Sequence, residues 1–104
     1  MIRNDSIIAD YDDEKVCYLT GKRGQYGFDL HHVLNGPLRK WADKEGLWVY
    51  LDSSVHHWLH DTGEGKIKMK ELKAVAQKKW EEKHADEYDD VRAEWLKKVK
   101  VNYL

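Results

Sequence analysis

Several features that define large classes of protein are scarce in this sequence. A single cysteine, Cys17, rules out an internal disulfide and a cysteine-rich zinc site. The longest uninterrupted apolar run, residues 47–51, is far shorter than the ~20 residues that span a bilayer, and residues 1–6 have no secretory pattern. Neither sign of charge dominates, because 18 lysines and arginines stand against 19 acidic residues. We therefore expect a soluble, cytoplasmic protein without the basic excess that is usual in proteins that bind nucleic acid through its phosphates.

The residues that are present suffice for one folded domain. The chain has 104 residues, of which 41% are hydrophobic, and its five tryptophans and six tyrosines bring large apolar surfaces. We predict a single domain over residues 1–104. Charge is unevenly spread, with a basic segment between Lys66 and Lys79 and an acidic run made of Asp10, Asp12, Asp13 and Glu14. Runs of this kind usually form solvated surfaces, although a partner can also bind to them.

The first 60 residues predict short strands and helices that alternate. An apolar run at 16–19, followed by a glycine-rich stretch at 21–27, indicates a short strand and a turn. Residues 28–34 predict a strand that ends at a turn over 35–37, and a short helix is expected over 38–44, ended by Gly46. Residues 47–51 predict a buried strand. The side-chain oxygens of residues 52–54 then suit the start of a helix over about 54–60.

The remaining residues predict two amphipathic helices. In the first, apolar residues recur at steps of three and four, which is typical of one helical face: Met69, Leu72, Ala76 and Trp80. The second is expected to start near Asp86 and to carry an apolar stripe of Tyr88, Val91, Trp95 and Val99. Acidic residues at its start and lysines near its end suit the helix dipole. The predicted fold class is α+β, with a short β-hairpin and additional C-terminal helices.

Five of the six histidines lie between residues 31 and 60. His56 and His60 stand four residues apart in a predicted helix, so both lie on one face and are able to hold the same ion. An exposed pair at this spacing also occurs by chance, without any ligand. The adjacent His31 and His32 lie in a predicted strand, and the elements between the two pairs are able to bring them together. The clustering therefore predicts a metal site.

The spacing of these histidines resembles the HNH nuclease superfamily, whose ββα-metal fold holds one divalent ion between a hairpin and a helix. Here His31 and His32 are followed by 23 residues, His56, three more residues and His60. The adjacent pair is similar to that of bacteriocin DNases. Other stretches look like small phage-encoded HNH proteins: residues 31–33, 39–41, 45–51, 56–60 and 102–104.

The resemblance implies an HNH-like ββα-metal core over about residues 16–62 and helices over about 67–100. It implies metal ligands at His31, His56 and His60, with His32 as the general base. Imidazoles suit a borderline ion such as Zn²⁺, and three protein ligands leave a position for a phosphate oxygen. A free imidazole titrates near neutrality, so His32 is suited to accept a proton from the attacking water. Zinc is the expected ion as isolated, with Mg²⁺, Mn²⁺ or Ni²⁺ possible for activity.

Two histidines are expected to lie outside this site. His57 neighbours a ligand but points about 100° away around the predicted helix. His84 is distant along the chain and is predicted to be a surface residue.

The sequence departs from the family pattern at a second zinc site. Many phage relatives carry two Cys-x-x-Cys pairs, but the matching positions here are Cys17 with Thr20 and Asp52 with Val55. We expect hydrophobic packing to replace this site, contributed by Tyr18, Trp48 and Trp58.

The asparagine that gives the family its middle letter is also missing. The position nine residues before His56 is Leu47, and the asparagine typical of the loop after the histidine pair is Leu38. Asn35 is the remaining candidate to orient the general base, because it lies three residues past His32.

Three functions follow as hypotheses. The first is a metal-dependent endonuclease or nickase whose partner is DNA. The second is a catalytically silent HNH-like zinc protein that inhibits a host defence protein such as a Cas effector, in the manner of an anti-CRISPR protein. The near-neutral charge and the missing asparagine favour this second hypothesis. The third is a small helical domain with incidental histidines.

Overall fold

Short strands alternate with helices along the residues that the computed structural model describes, 4–11 and 14–104. Four strands are present in these residues: β1 (Lys15–Val16), β2 (Arg23–Gly24), β3 (Phe28–His32) and β4 (Trp48–Asp52). They also contain four α-helices: α1 (Arg39–Glu45), α2 (Ser53–Asp61), α3 (Gly63–His84) and α4 (Val91–Val99). The fold is therefore α+β, as predicted. Two members of the acidic run, Asp12 and Asp13, lie outside the described residues, as do residues 1–3.

The strands form two small antiparallel sheets, β1 with β2 and β3 with β4. In the second sheet His31 is paired with Val49 and His32 with Trp48. The backbone N–H of Tyr18 donates to the carbonyl oxygen of Tyr50 at 2.9 Å, which ties the β1 segment to β4. The two predicted strands at 28–34 and 47–51 are thus confirmed, with ends that differ by one or two residues.

Helix α1 begins after a short 3₁₀ turn over Gly36–Leu38 and ends at Gly46, as the sequence predicts. Gly46 has φ +77°, and its N–H donates to the carbonyl oxygens of Ala42 and Asp43. A Cβ at this position would lie 2.3 Å from the carbonyl oxygen of Asp5, so the N-terminal segment also requires a glycine here. The chain can then turn directly into β4.

Helices α2 and α3 pack closely because of their caps and one glycine. The Asp52 side chain accepts from the N–H of Ser54 at 2.9 Å, which starts α2 where it was predicted. The hydroxyl of Thr62 accepts from the N–H of Gly65, so α3 begins at Gly63, earlier than expected. A Cβ on Gly65 would lie 2.4 Å from the carbonyl oxygen of Trp58. Only glycine therefore allows the first turn of α3 to lie against α2.

Helix α3 packs on α2 and α4, and a core rich in tryptophan joins α3 and α4 to α1. Trp80 and Trp95 are buried, and their rings lie 5.6 Å apart; each also contacts Trp41 of α1. The predicted start of the last helix near Asp86 is wrong. Helix α4 begins at Val91, because the Asp90 side chain accepts from the N–H of Ala93 and caps the helix there. In the described residues, no helix is long and apolar enough to cross a membrane.

Tyr88 and Trp58 are more exposed than predicted. Tyr88 precedes α4 instead of lying on its apolar stripe, and it is 42% exposed. Trp58 is 36% exposed, and it lines a cavity together with Leu19, Thr20 and Val55. Trp48, in contrast, is buried, and Tyr18 packs against the core.

Candidate metal centre

Three of the predicted ligands come together between β3 and α2. Nδ1 of His31 lies 3.3 Å from Nε2 of His56, and one nitrogen of each of His31, His56 and His60 lies within 4.8 Å of the others. The helical spacing of four residues puts His56 and His60 on the same face, with ring centroids 5.0 Å apart. We call these residues the histidine triad. The sequence prediction that they are close enough to bind one metal ion is confirmed.

A carboxylate that the sequence analysis missed orients His56. Oδ2 of Asp29 lies 3.0 Å from Nδ1 of His56 and accepts its proton, which leaves the lone pair on Nε2, the nitrogen facing His31. Oδ1 of the same carboxylate accepts from the Ser53 hydroxyl at 3.1 Å. The hydrogen bond from His56 holds the pKa of Asp29 below its usual range, so the carboxylate is ionised at neutral pH. Metal-ligating histidines commonly donate their second N–H to a carboxylate in this way.

His31 is the buried member of the histidine triad. Only 3% of its surface is exposed, whereas His56 is partly buried and His60 is exposed. Burial lowers the pKa of His31 to about 4, and the charges of protonated His56 and His60 act in the same direction. The ring is consequently neutral at pH 7, the form in which imidazole binds metals.

The chemistry of this donor set fits a divalent transition ion. Two nitrogens bound at ~2.0–2.1 Å to a tetrahedral ion stand roughly 3.4 Å apart, close to the separation between His31 and His56. Three imidazoles with one carboxylate behind them suit zinc better than Mg²⁺ or Ca²⁺, which prefer oxygen ligands. The rim formed by His60 is open to solvent, so a fourth ligand has access.

His32, the last residue of β3, does not join the triad, because residues of α1 hold its ring. Its Nδ1 lies 2.6 Å from Oδ1 of Asp43, and its Nε2 lies 3.0 Å from Nη2 of Arg39. Since an arginine only donates, Nε2 must accept, and Nδ1 carries the proton that Asp43 receives. Asp43 is 1% exposed and belongs to α1. A buried carboxylate therefore sets the tautomer and the orientation of this imidazole.

The residue expected to orient His32 has another location. Asn35 is exposed, and it precedes the 3₁₀ turn without a side-chain hydrogen bond to that turn. Leu47, where the resemblance led us to expect an asparagine, is completely buried in the core. Asp43 thus occupies the orienting role that the sequence analysis assigned to Asn35.

The two histidines predicted to lie outside the site do so, but they differ in environment. His57 is exposed on α2. His84 is not a simple surface residue: its side chain is 15% exposed, stacks near Trp80 and lies between Glu45 and Glu87. It sits at the C-terminal end of α3, where a partly buried aromatic contact and two carboxylates hold it.

An ion pair lies where the sequence analysis expected packing in place of a second zinc site. Nζ of Lys22 lies 2.8 Å from Oδ2 of Asp52. Cys17 is buried, and although burial raises its pKa, hydrogen bonds from Asp52 and Thr20 outweigh this and hold it below its usual range. Val55 packs against the core. Packing therefore contributes as predicted, together with an ion pair that was not.

Weak sequence signals existed for both missed carboxylates. Asp29 lies two residues before His31, so the two share one face of β3. Asp43 lies four residues after Arg39, which places both on one face of α1. In comparisons with known proteins, the chain matches no family model, no curated protein and no solved structure.

Proposed function

We propose that this protein is a metal-dependent DNA endonuclease or nickase built on an HNH-like ββα-metal core formed by β3, β4 and α2. The observation that carries the proposal is that consecutive residues of one strand serve two sites. His31 belongs to a three-imidazole donor set, and His32 is an imidazole whose tautomer is set by a buried carboxylate. A structural zinc site needs the first arrangement but not the second.

The two carboxylates give the imidazoles different roles in this proposal. His31, His56 and His60 hold the ion, with Asp29 keeping Nε2 of His56 available. When bound, a divalent ion supplies Lewis-acid polarisation of the phosphodiester and stabilises the leaving oxygen. Asp43 keeps the proton of His32 on Nδ1, so that Nε2 is the basic nitrogen.

Arg39 connects the general base to the substrate. In the substrate-free protein its guanidinium donates to Nε2 of His32. A phosphate oxygen is a stronger, charged acceptor, so we expect Arg39 to turn to the substrate when it arrives. The lone pair of Nε2 is then free to accept the proton of the attacking water.

The test is nicking of supercoiled plasmid by fully metallated protein with Mg²⁺, Mn²⁺ or Ni²⁺. We expect His32→Ala to retain the ion and the fold but to lose activity by ~10²–10⁴-fold, the usual effect of removing a general base. His56→Ala should lose both the ion and the activity. His57→Ala is the matched control, because it removes an exposed histidine from the same helix and should change neither.

Absence of nicking by metallated wild-type protein would remove the enzyme proposal. The alternative, a catalytically silent metalloprotein that inhibits a host defence protein, would then remain. The near-neutral charge of the protein is consistent with an inhibitor, as are the leucines at positions 38 and 47, where HNH nucleases have an asparagine. In that case His32→Ala should leave the inhibitory activity largely intact.

A further inference from the structure

Three lysines form a stripe along α3. Lys66, Lys70 and Lys73 are spaced by four and three residues, so they lie on one face of the helix. Lys66 and Lys70 are exposed, and Lys73 is partly buried. Within residues 4–11 and 14–104, no carboxylate forms an ion pair with any of these three ammonium groups, whereas Lys68 is paired with Glu71 at 3.2 Å. The stripe is therefore positive charge that the described part of the chain does not neutralise.

The stripe borders a groove of about 450 Å³ between α3 and the C-terminal segment. Its lining residues are Lys66, Ile67, Met69, Lys70, Lys73 and Tyr103. Buried Gln77 holds the far wall in place, because its Oε1 accepts from the N–H of Tyr103 at 2.7 Å and its Nε2 donates to Oδ1 of Asn102 at 3.0 Å. We call this feature the lysine groove. Its wall is fixed by hydrogen bonds.

The lysine groove lies near the histidine triad. The ammonium of Lys73 is 5.7 Å from the centre of the Tyr103 ring at one end of the groove. Gly65, the neighbour of Lys66, lies against Leu59, the neighbour of His60, because a Cβ on Gly65 would be 2.5 Å from Cα of Leu59. Because α3 also packs on α2, which carries His56 and His60, a ligand in the groove would pass close to the ion site.

We propose that the lysine groove binds the phosphate backbone of the DNA segment next to the bond that is cleaved, an inference that rests on the proposed function. Three like charges at regular intervals match the repeating charge of a nucleic acid backbone. Lysine contacts phosphate as a point charge, without reading the bases. The site would supply DNA affinity that the net charge of −1 does not.

The test measures binding to a fluorescently labelled 20-base-pair duplex by anisotropy. The zinc-loaded His32→Ala protein is used throughout, so that the fold keeps its ion while cleavage is suppressed. In this background the groove variant carries Lys66→Gln, Lys70→Gln and Lys73→Gln. The matched control carries Lys68→Gln, Lys78→Gln and Lys79→Gln, which removes the same charge from exposed positions of α3 that do not line the groove.

We expect the groove variant to bind DNA at least tenfold more weakly at 50 mM salt, and the control to change by less than about twofold. The slope of log affinity against log salt should fall by roughly 2–3 in the groove variant, since each lost phosphate contact contributes ~0.9. Equal losses in both variants, no loss in the groove variant or no DNA binding at all would overturn the proposal. Tighter binding of a labelled polyglutamate peptide with the same lysine dependence would overturn it in favour of an acidic protein partner.

The binding and cleavage results separate the two proposals. Nicking by wild-type protein together with DNA binding that ignores the groove lysines would overturn the groove alone. Binding that depends on these lysines, without nicking by the metallated wild type, would overturn the enzyme alone. Melting curves of both triple variants verify that each is folded.

Discussion

Replacement of Asp29 by asparagine tests whether the carboxylate behind His56 tunes the candidate metal centre. In the wild-type protein Oδ2 of Asp29 accepts the Nδ1 proton of His56, and Nε2 then faces His31 with its lone pair. An asparagine keeps the size of the side chain and can still accept from Ser53. It removes the negative charge, however, and an amide NH₂ turned toward His56 would favour the tautomer with the proton on Nε2. We therefore expect weaker metal binding in an otherwise intact fold.

Loss of an outer-shell partner usually lowers metal affinity by ~10–100-fold, which corresponds to about 1.4–2.7 kcal/mol. The Asp29 side chain is 42% exposed, so solvent screens part of its charge. We expect a result near the lower limit, about tenfold. When the free zinc concentration exceeds the dissociation constants of both the wild type and Asp29→Asn, this loss of binding free energy lowers the melting temperature of Asp29→Asn by roughly 5–10 °C in a domain of this size.

The assay is competition for Zn²⁺ between the protein and a chromophoric chelator at pH 7. Asp61→Asn is the control, because it removes one negative charge from the residue next to His60, at an exposed position at the end of α2. It should bind zinc nearly as well as the wild type. Zinc binding by Asp29→Asn as tight as that of the wild type, or an equal loss of affinity in Asp61→Asn, would refute a role of the Asp29 carboxylate in metal binding.

Three other predictions concern stability. Removal of a bound ion with chelator should lower the melting temperature by roughly 10–20 °C at a prior ion concentration of ~100 Kd, and an unchanged melting curve would contradict metal binding. Lys22 holds the pKa of Asp52 below its usual range, so the pair stabilises the fold above pH ~4 and loses this effect as the pH falls further. The wild type should therefore unfold at a higher urea concentration than Lys22→Met at pH 7, and this difference should shrink toward pH 3. Gly65→Ala should lower the free energy of unfolding by at least ~2 kcal/mol, because the new Cβ meets the backbone of α2. Gly63→Ala is the control, since the space around Gly63 is open. Equal denaturation midpoints for the two variants would refute the close packing of α3 on α2.

The parts of the site that were predictable from sequence depend on local geometry. His56 and His60 share a face because four residues make about one helical turn, wherever the helix lies. Asp52 and Gly46 mark helix boundaries through backbone groups within a few residues. His31 was predicted as the third ligand because the histidine spacing resembles that of HNH nucleases.

The parts that were missed depend on tertiary placement. Asp43 is a buried acid in a short helix, and nothing in its own neighbourhood shows that His32 lies opposite. Asn35 was the expected partner because it is near in sequence, but its loop places it at the surface. The start of α4 was wrong for a related reason. All the acids before it favour a helix N-terminus, and the fold selects Asp90, whose position brings Trp95 into the core.

The cluster of Trp41, Trp80 and Trp95 gives the protein an optical probe of its own. The ring centroids lie 5.6–6.1 Å apart, close enough for the electronic transitions of the indoles to couple and to produce a strong near-ultraviolet circular dichroism signal. That signal reports the docking of α1, α3 and α4, and none of its three residues belongs to the histidine triad. Co²⁺ bound to the triad would absorb in the visible range and report β3 and α2 instead. Two wavelengths recorded during one melt thus determine whether both regions unfold as one cooperative unit.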